Sequence, residues 1–301
     1  APAGDWALGE PDLVVKMPRA FSPAKGKDVY RCFVLPTGLS EDKFVSAVDI
    51  LPGNRRIVHH AIVYLDSSGE AEKLDALDEE PGYDCYGGPG FEVNITSITS
   101  LLLNGYTLGG WAPGARAHHL PSGVGMQLGR RARIVLQVHY YTGGRTGEDQ
   151  TSIGLYFNKE EVKRPLYYIP VVQTRLNIKA GDPASVATAE LPNIFVPQLT
   201  VIDVFPHMHL LGTKIRVEKE FRGDRELMIE IDKWDFNWQG SYQFVEPVSI
   251  PLLGRVRLRC EYDNSVNNPR NPSNPLKDVR WGEGTEDEMC LAFLGVTLGP
   301  L

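Results

Sequence analysis

The sequence predicts an all-β protein built of antiparallel sandwiches or barrels, and three observations carry that expectation. Short apolar or alternating segments recur along the 301 residues, separated by clusters of Pro, Gly, Asn and Asp. Helical periodicity is weak everywhere. The polar stretch N-K-E-E-V-K-R-P at 158–165 parts the chain into halves of similar size, so two domains are expected, 1–162 and 163–301.

Taken in order, the first half offers strands at 28–35 (D-V-Y-R-C-F-V-L), 44–51, 57–65 (I-V-H-H-A-I-V-Y-L) and 133–141 (R-I-V-L-Q-V-H-Y-Y). Between them, A-E-K-L-D-A-L-D at 71–78 is the best helical candidate. The second half continues with strands at 199–205, 213–221, 255–262 and 290–298. The Pro/Asn-rich stretch N-P-R-N-P-S-N-P at 268–275 reads as a long surface loop.

A formal charge of −7 argues against a nucleic-acid partner, which needs a basic face to meet phosphates. No apolar run reaches the length of a transmembrane helix, so no membrane span is expected. The start A-P-A-G-D-W is not a signal sequence, and the chain reads as a mature protein or fragment. Four cysteines, Cys32, Cys85, Cys260 and Cys290, lie two in each half with no C-x-x-C pair. That distribution suits two disulfides in an exported protein, paired Cys32 to Cys85 and Cys260 to Cys290; four buried free thiols are the alternative.

The seven histidines point to metal chemistry. His207 and His209 stand at i and i+2 in V-F-P-H-M-H-L-L-G, so on a strand both leave the same face, as chelating ligands or as two satisfied structural imidazoles. His139 can look out of its strand towards a partner. His59 and His60 are adjacent and on a regular strand would point to opposite faces; only a bulge or a strand end turns them together. With His139 they would then form a three-imidazole site that suits zinc or copper. The H-x-H pair needs a third ligand, and Met289 in E-D-E-M-C-L-A-F-L is a candidate whose thioether favours Cu(I); core packing is its ordinary role. His118 and His119 lie in G-A-R-A-H-H-L-P and read as ordinary loop residues.

The motifs V-H-H at 58–60, L-Q-V-H-Y at 136–140, H-M-H-L-L-G at 207–212 and D-E-M-C at 287–290 fall in one order along the chain. With D-V-Y-R-C at 28–32 and G-W-A-P-G-A-R at 110–116, the sequence resembles the copper type II, ascorbate-dependent monooxygenases, which include the peptidylglycine and dopamine hydroxylating enzymes. The resemblance implies two jelly-roll-like antiparallel β-sandwich domains facing across a cleft, each holding one of two copper ions. It implies His59, His60 and His139 as ligands of an electron-transferring copper, and His207, His209 and Met289 as ligands of the copper where dioxygen and a small-molecule substrate meet. It implies the same two disulfides, and places Tyr30 and Gln137 as polar neighbours of the first copper. Hydroxylating a C–H bond with dioxygen takes two electrons from outside, and two separate copper centres each store one.

Departures from the family pattern bear on the substrate. Phe205 stands where peptide-amidating members carry an arginine that grips a carboxylate, and Leu291 and Phe293 replace a polar residue and a tyrosine. Without those charge-assisted hydrogen bonds, an apolar or neutral substrate is expected in place of a glycine-extended peptide. The start W-A-L-G-E-P-D-L-V-V-K-M-P resembles bacterial members in which a c-type haem domain precedes this segment, so the electron donor is expected to be ascorbate or such a haem. The rival readings are a non-catalytic copper-binding or electron-transfer protein on the same fold, and a zinc hydrolase, which would leave Met289 without a role.

Overall fold

The computed structural model describes residues 6–26, 28–92, 106–194 and 196–301. Contacts divide the chain into two compact units, Ala1–Tyr168 and Ile169–Leu301. No described helix is long and apolar enough to cross a membrane.

The first unit contains β1 (Leu13–Lys16), β2 (Asp28–Pro36), β3 (Lys43–Leu51), β4 (Val58–Asp66), helix α1 (Glu70–Leu77), β5 (Tyr83–Asp84), β6 (Thr107–Trp111), β7 (Val124–Leu128), β8 (Arg133–Tyr141), β9 (Ser152–Phe157) and β10 (Arg164–Pro165). They form two five-stranded sheets, ordered β1-β9-β3-β7-β10 and β5-β2-β8-β4-β6. All ladders are antiparallel except the short parallel pair of β10 with β7.

Strand β8 lies at the centre of the second sheet and is buried on both faces. Ile134, Leu136, Val138 and Tyr140 fill one face, and the ring of Tyr140 meets that of Phe21, which in turn touches Phe33. The other face is covered by α1 and by the segment after it: Val135 packs with Cys32, Ala71, Tyr83 and Cys85, flanked by Leu74 and Tyr64. A strand covered twice needs apolar groups at consecutive positions, which explains why 133–141 reads as a continuous run and not as an alternation.

Helix α1 matches the one expected near 71–78. Gly69 precedes it with φ 79°, a conformation that glycine adopts without a Cβ penalty. The cap comes instead from Asp66, whose carboxylate accepts the N–H groups of Ser68, Gly69 and Ala71 and the Ser68 hydroxyl. Glu70 and Glu72 in the first turn favour the positive end of the helix dipole.

The second unit continues with β11 (Tyr167–Val172), which runs across the division, β12 (Asn177–Ile178), β13 (Ser185–Pro192), β14 (Gln198–His207), β15 (Gly212–Phe221), β16 (Asp224–Ile231), β17 (Tyr242–Pro251), β18 (Arg255–Tyr262), β19 (Val279–Arg280) and β20 (Leu291–Leu298). Two four-stranded sheets, β11-β20-β14-β17 and β13-β18-β15-β16, are accompanied by a separate two-stranded β12-β19 ribbon. Ion pairs such as Arg257–Glu190, Arg257–Glu220 and Arg255–Glu190 tie β13, β15 and β18 together. No strand interrupts 268–275, but the segment is pinned: Asn268 bonds the Asp263 carbonyl and Asn271 bonds the Asn264 side chain. Both disulfides are formed, Cys32–Cys85 and Cys260–Cys290.

Candidate metal centres

The first cluster grows from a defect in the β4·β8 ladder. Val58 pairs with Tyr140 and His60 with His139, so β4 spends an additional residue, His59, over a single step of β8. This β-bulge bends the strand and re-aims its side chains. His59 and His60 therefore come to the same side, with their Nδ1 atoms 3.2 Å apart. The Nδ1 of His139 lies 3.4 Å from that of His60, and one ligand atom from each of the three rings falls within 4.8 Å of the others. Imidazole nitrogens bound at ~2.0–2.1 Å around one tetrahedral or trigonal ion lie about 3.3–3.6 Å from one another, so the donor set fits a copper or zinc ion and the two spacings about His60 come close to what one requires.

Electrostatics favour the same use. Burial pushes the His139 imidazole below its ordinary pKa, while Asp28 beside it pulls the other way. In the neutral ring, Nε2–H donates to Asp28 Oδ1 at 3.1 Å, so Nδ1 carries the lone pair. A carboxylate behind a ligating imidazole fixes its tautomer and raises its basicity. Tyr30 lies flat on His139, ring centroids 4.2 Å apart and planes within 5°. Gln137 shares the face but turns away from the imidazoles: its Nε2 donates to the carbonyls of Cys85 and Gly88 and clamps that loop.

In the second unit, His207 ends β14 and His209 follows it, with ring centroids 5.1 Å apart. The side chain of Gln239 is oriented by donating to the Phe236 carbonyl, so its Oε1 accepts from His207 Nδ1 at 2.6 Å. His209 Nδ1 donates to the Asp287 carbonyl at 3.0 Å. Both protons thus sit on Nδ1 and both Nε2 atoms carry lone pairs. Met208 points the other way, into the core beside Gly212 and Trp234.

Met289 reaches the same neighbourhood through Glu288. The Oε2 of this fully buried carboxyl accepts the N–H groups of His209 at 2.9 Å and of Met289 at 3.1 Å. The β14·β20 register ends with His207 opposite Leu291. Cys290 ties the next residue to β18. Phe205 pairs with Phe293 in the same register, and alternation places Phe205, Leu291 and Phe293 on the face that carries His207.

Three positions in these centres carry no local signal: Asp28, Gln239 and Glu288. Glu288 sits in the acidic run E-D-E and gives no sign in sequence of lying inside the protein. His118 and His119 join neither cluster; exposed His119 bonds Ser46 Oγ and stands edge-on to Tyr156. Among the described residues, His59, His60 and His139 form the one group of His, Cys, Asp and Glu with metal-ligand spacing.

Among solved structures, the major capsid protein P2 of bacteriophage PM2 is 9% identical over 95% of this chain and 96% of its own, with a TM-score of 0.35. The infectious bursal disease virus VP2 subviral particle is 9% identical over 99% and 74%, with a TM-score of 0.23. Likenesses this low carry no argument about fold or function. The family models are decisive: that of the copper type II ascorbate-dependent monooxygenase N-terminal domain matches residues 13–145, and that of its C-terminal domain matches residues 150–295. The two matches span nearly the whole chain, which belongs to the copper type II ascorbate-dependent monooxygenase family.

Proposed function

We propose that the protein hydroxylates a C–H bond of an apolar or neutral small molecule, using two copper ions, dioxygen and two one-electron reductions. The observation that carries this reading is the bulge that turns adjacent His59 and His60 towards His139, for which a structural pair of histidines has no need. Copper supplies one-electron storage at each centre and activation of dioxygen at the second. The chain's own residues hold and polarise the ligands. Asp28 fixes the proton of His139 on Nε2, while Gln239 and the Asp287 carbonyl fix those of His207 and His209 on Nδ1. His207, His209 and Met289 make a soft ligand set suited to Cu(I). Each unit is read as a jelly-roll-like sandwich, and the two disulfides suit an exported protein. Ascorbate or a c-type haem is the proposed source of electrons.

Phe205 opposite Phe293, with Leu291 beside His207, supports the choice of substrate class. These groups offer an apolar wall and nothing to bind a carboxylate. Saturable turnover of a glycine-extended peptide would overturn this part of the reading.

The test is a screen of small neutral molecules on copper-loaded, pre-reduced protein under isotopically labelled dioxygen. A product carrying one labelled oxygen atom is expected. Oxygen uptake that yields peroxide alone, across the screen, favours the second reading, a copper-binding or electron-transfer protein on the same fold.

A further inference from the structure

From the structure we infer that electrons enter the three-histidine centre through two tyrosines in contact, Tyr86 and Tyr30, with Tyr86 as the surface contact for an outer-sphere one-electron donor. The inference rests on the reading that His59, His60 and His139 hold copper. Two of these imidazoles offer a large donor little direct access, His59 at 6% and His139 at 1% exposed, and His60 is half-buried. Tyr86, in contrast, is 64% exposed. Its ring stands edge-on to that of buried Tyr30, centroids 5.3 Å apart at 88°, and Tyr30 lies flat on His139 at 4.2 Å. Aromatic rings in van der Waals contact therefore lead from solvent to a ligand atom in two steps.

The loop that presents Tyr86 is held from three sides. Cys85 is bonded to Cys32, its N–H donates to the Tyr30 carbonyl, and its own carbonyl accepts from Gln137. Gln137 also takes the Gly88 carbonyl, closing the turn. This gives Gln137 a task that its orientation away from the imidazoles leaves open: it fixes the loop on which the outer ring rides. The next four residues, Gly87, Gly88, Pro89 and Gly90, carry little bulk beside the Tyr86 ring.

The step balances simply. The donor gives up one electron, which reduces copper(II) held by the three imidazoles to copper(I). No bond forms or breaks, and both phenols keep their protons and act as the medium between donor and His139.

The test mixes the copper-loaded chain with a ferrous c-type cytochrome as probe in a stopped-flow instrument, following haem oxidation and the electron paramagnetic resonance of the first centre. The variants are Tyr86→Leu, which removes the ring, and Tyr86→Phe, which keeps it. The second-order rate constant is expected to fall about tenfold in Tyr86→Leu, within the range over which association rates respond to single interface changes, and to stay at the wild-type value in Tyr86→Phe. Copper content, resonance spectrum and reduction potential are expected to be unchanged in both. A wild-type rate in Tyr86→Leu, equal slowing in both variants, or an altered spectrum in Tyr86→Leu would each overturn the route. Copper content measured before mixing keeps the two ideas apart: a wild-type chain that takes up no copper at the three imidazoles overturns the proposed function itself, whereas normal copper with unchanged rates overturns only the route.

Discussion

His209 and Met289, 80 positions apart in the sequence, hang their backbone N–H groups on one oxygen, Oε2 of Glu288, at 2.9 and 3.1 Å. Its other oxygen takes the Leu211 N–H at 2.6 Å. Burial pushes this carboxyl up to about 8, against the pull of the backbone donors. In Glu288→Gln an amide NH2 faces donors where an oxygen accepted them. Cu(I) affinity at the second centre is expected to fall about 10–100-fold, the usual effect of losing a group that orients ligands. Competition with a chromophoric Cu(I) chelator measures it, and the first centre should bind as before.

Met289 itself is tested by Met289→Leu, which conserves volume and removes the sulfur. The expected result is weaker Cu(I) binding at the second centre, loss of the sulfur signal from copper X-ray absorption, and an unaltered first centre. Equal loss at both centres would refute the division of ligands between them.

Asp28 stands behind His139 as a hydrogen-bond acceptor for Nε2. Asp28→Ala removes the acceptor and the negative charge that favours copper(II). A rise in the reduction potential of the first centre is expected, with copper(II) affinity lower by about tenfold or more. A redox titration followed by electron paramagnetic resonance checks both, and the second centre serves as the internal control.

Acid should weaken the first unit through Asp66 and Asp78. The Arg31 guanidinium holds Asp78 below the ordinary carboxylate pKa of 3.8. For Asp66, burial raises the pKa, but the Ser68 hydroxyl and the N–H groups around the start of α1 outweigh it, so it too lies lower. A group whose folded-state pKa is depressed stabilises the protein above its unfolded value and loses that contribution as pH falls through the folded one. Unfolding in urea should therefore show stability falling as pH drops below 3.8. Asp66→Asn should cost about 1–2 kcal/mol at neutral pH, as lost helix caps do, and the difference from wild type should shrink in acid.

Much of this architecture is legible in the sequence, because β2, β4, β8, β14 and β20 carry runs long and apolar enough to declare themselves. Some of the strands that go unread have residues that look like turns or surface. β6 is T-L-G-G-W, and β13, S-V-A-T-A-E-L-P, alternates small and polar groups on a half-exposed sheet edge. At the first centre, a joint role for adjacent His59 and His60 calls for a bulge or a strand end, and the register contains the bulge. Asp28 and Glu288 are not legible in this way. Each acts on a histidine about 80 or more positions distant, and nothing in D-V-Y or E-D-E distinguishes a carboxylate that meets an imidazole or a buried backbone from one that meets water.

The bulge at His59 also makes the three-imidazole cluster a portable unit. Its geometry depends on one inserted residue in one strand and one histidine on the neighbouring strand, all within a single antiparallel ladder. Deleting His59 would restore regular alternation and erase the cluster while leaving the strands paired. Conversely, the same three-residue exchange, grafted onto an unrelated antiparallel sheet with a carboxylate behind the lone histidine, is a compact recipe for engineering a metal-binding face where a regular strand offers none.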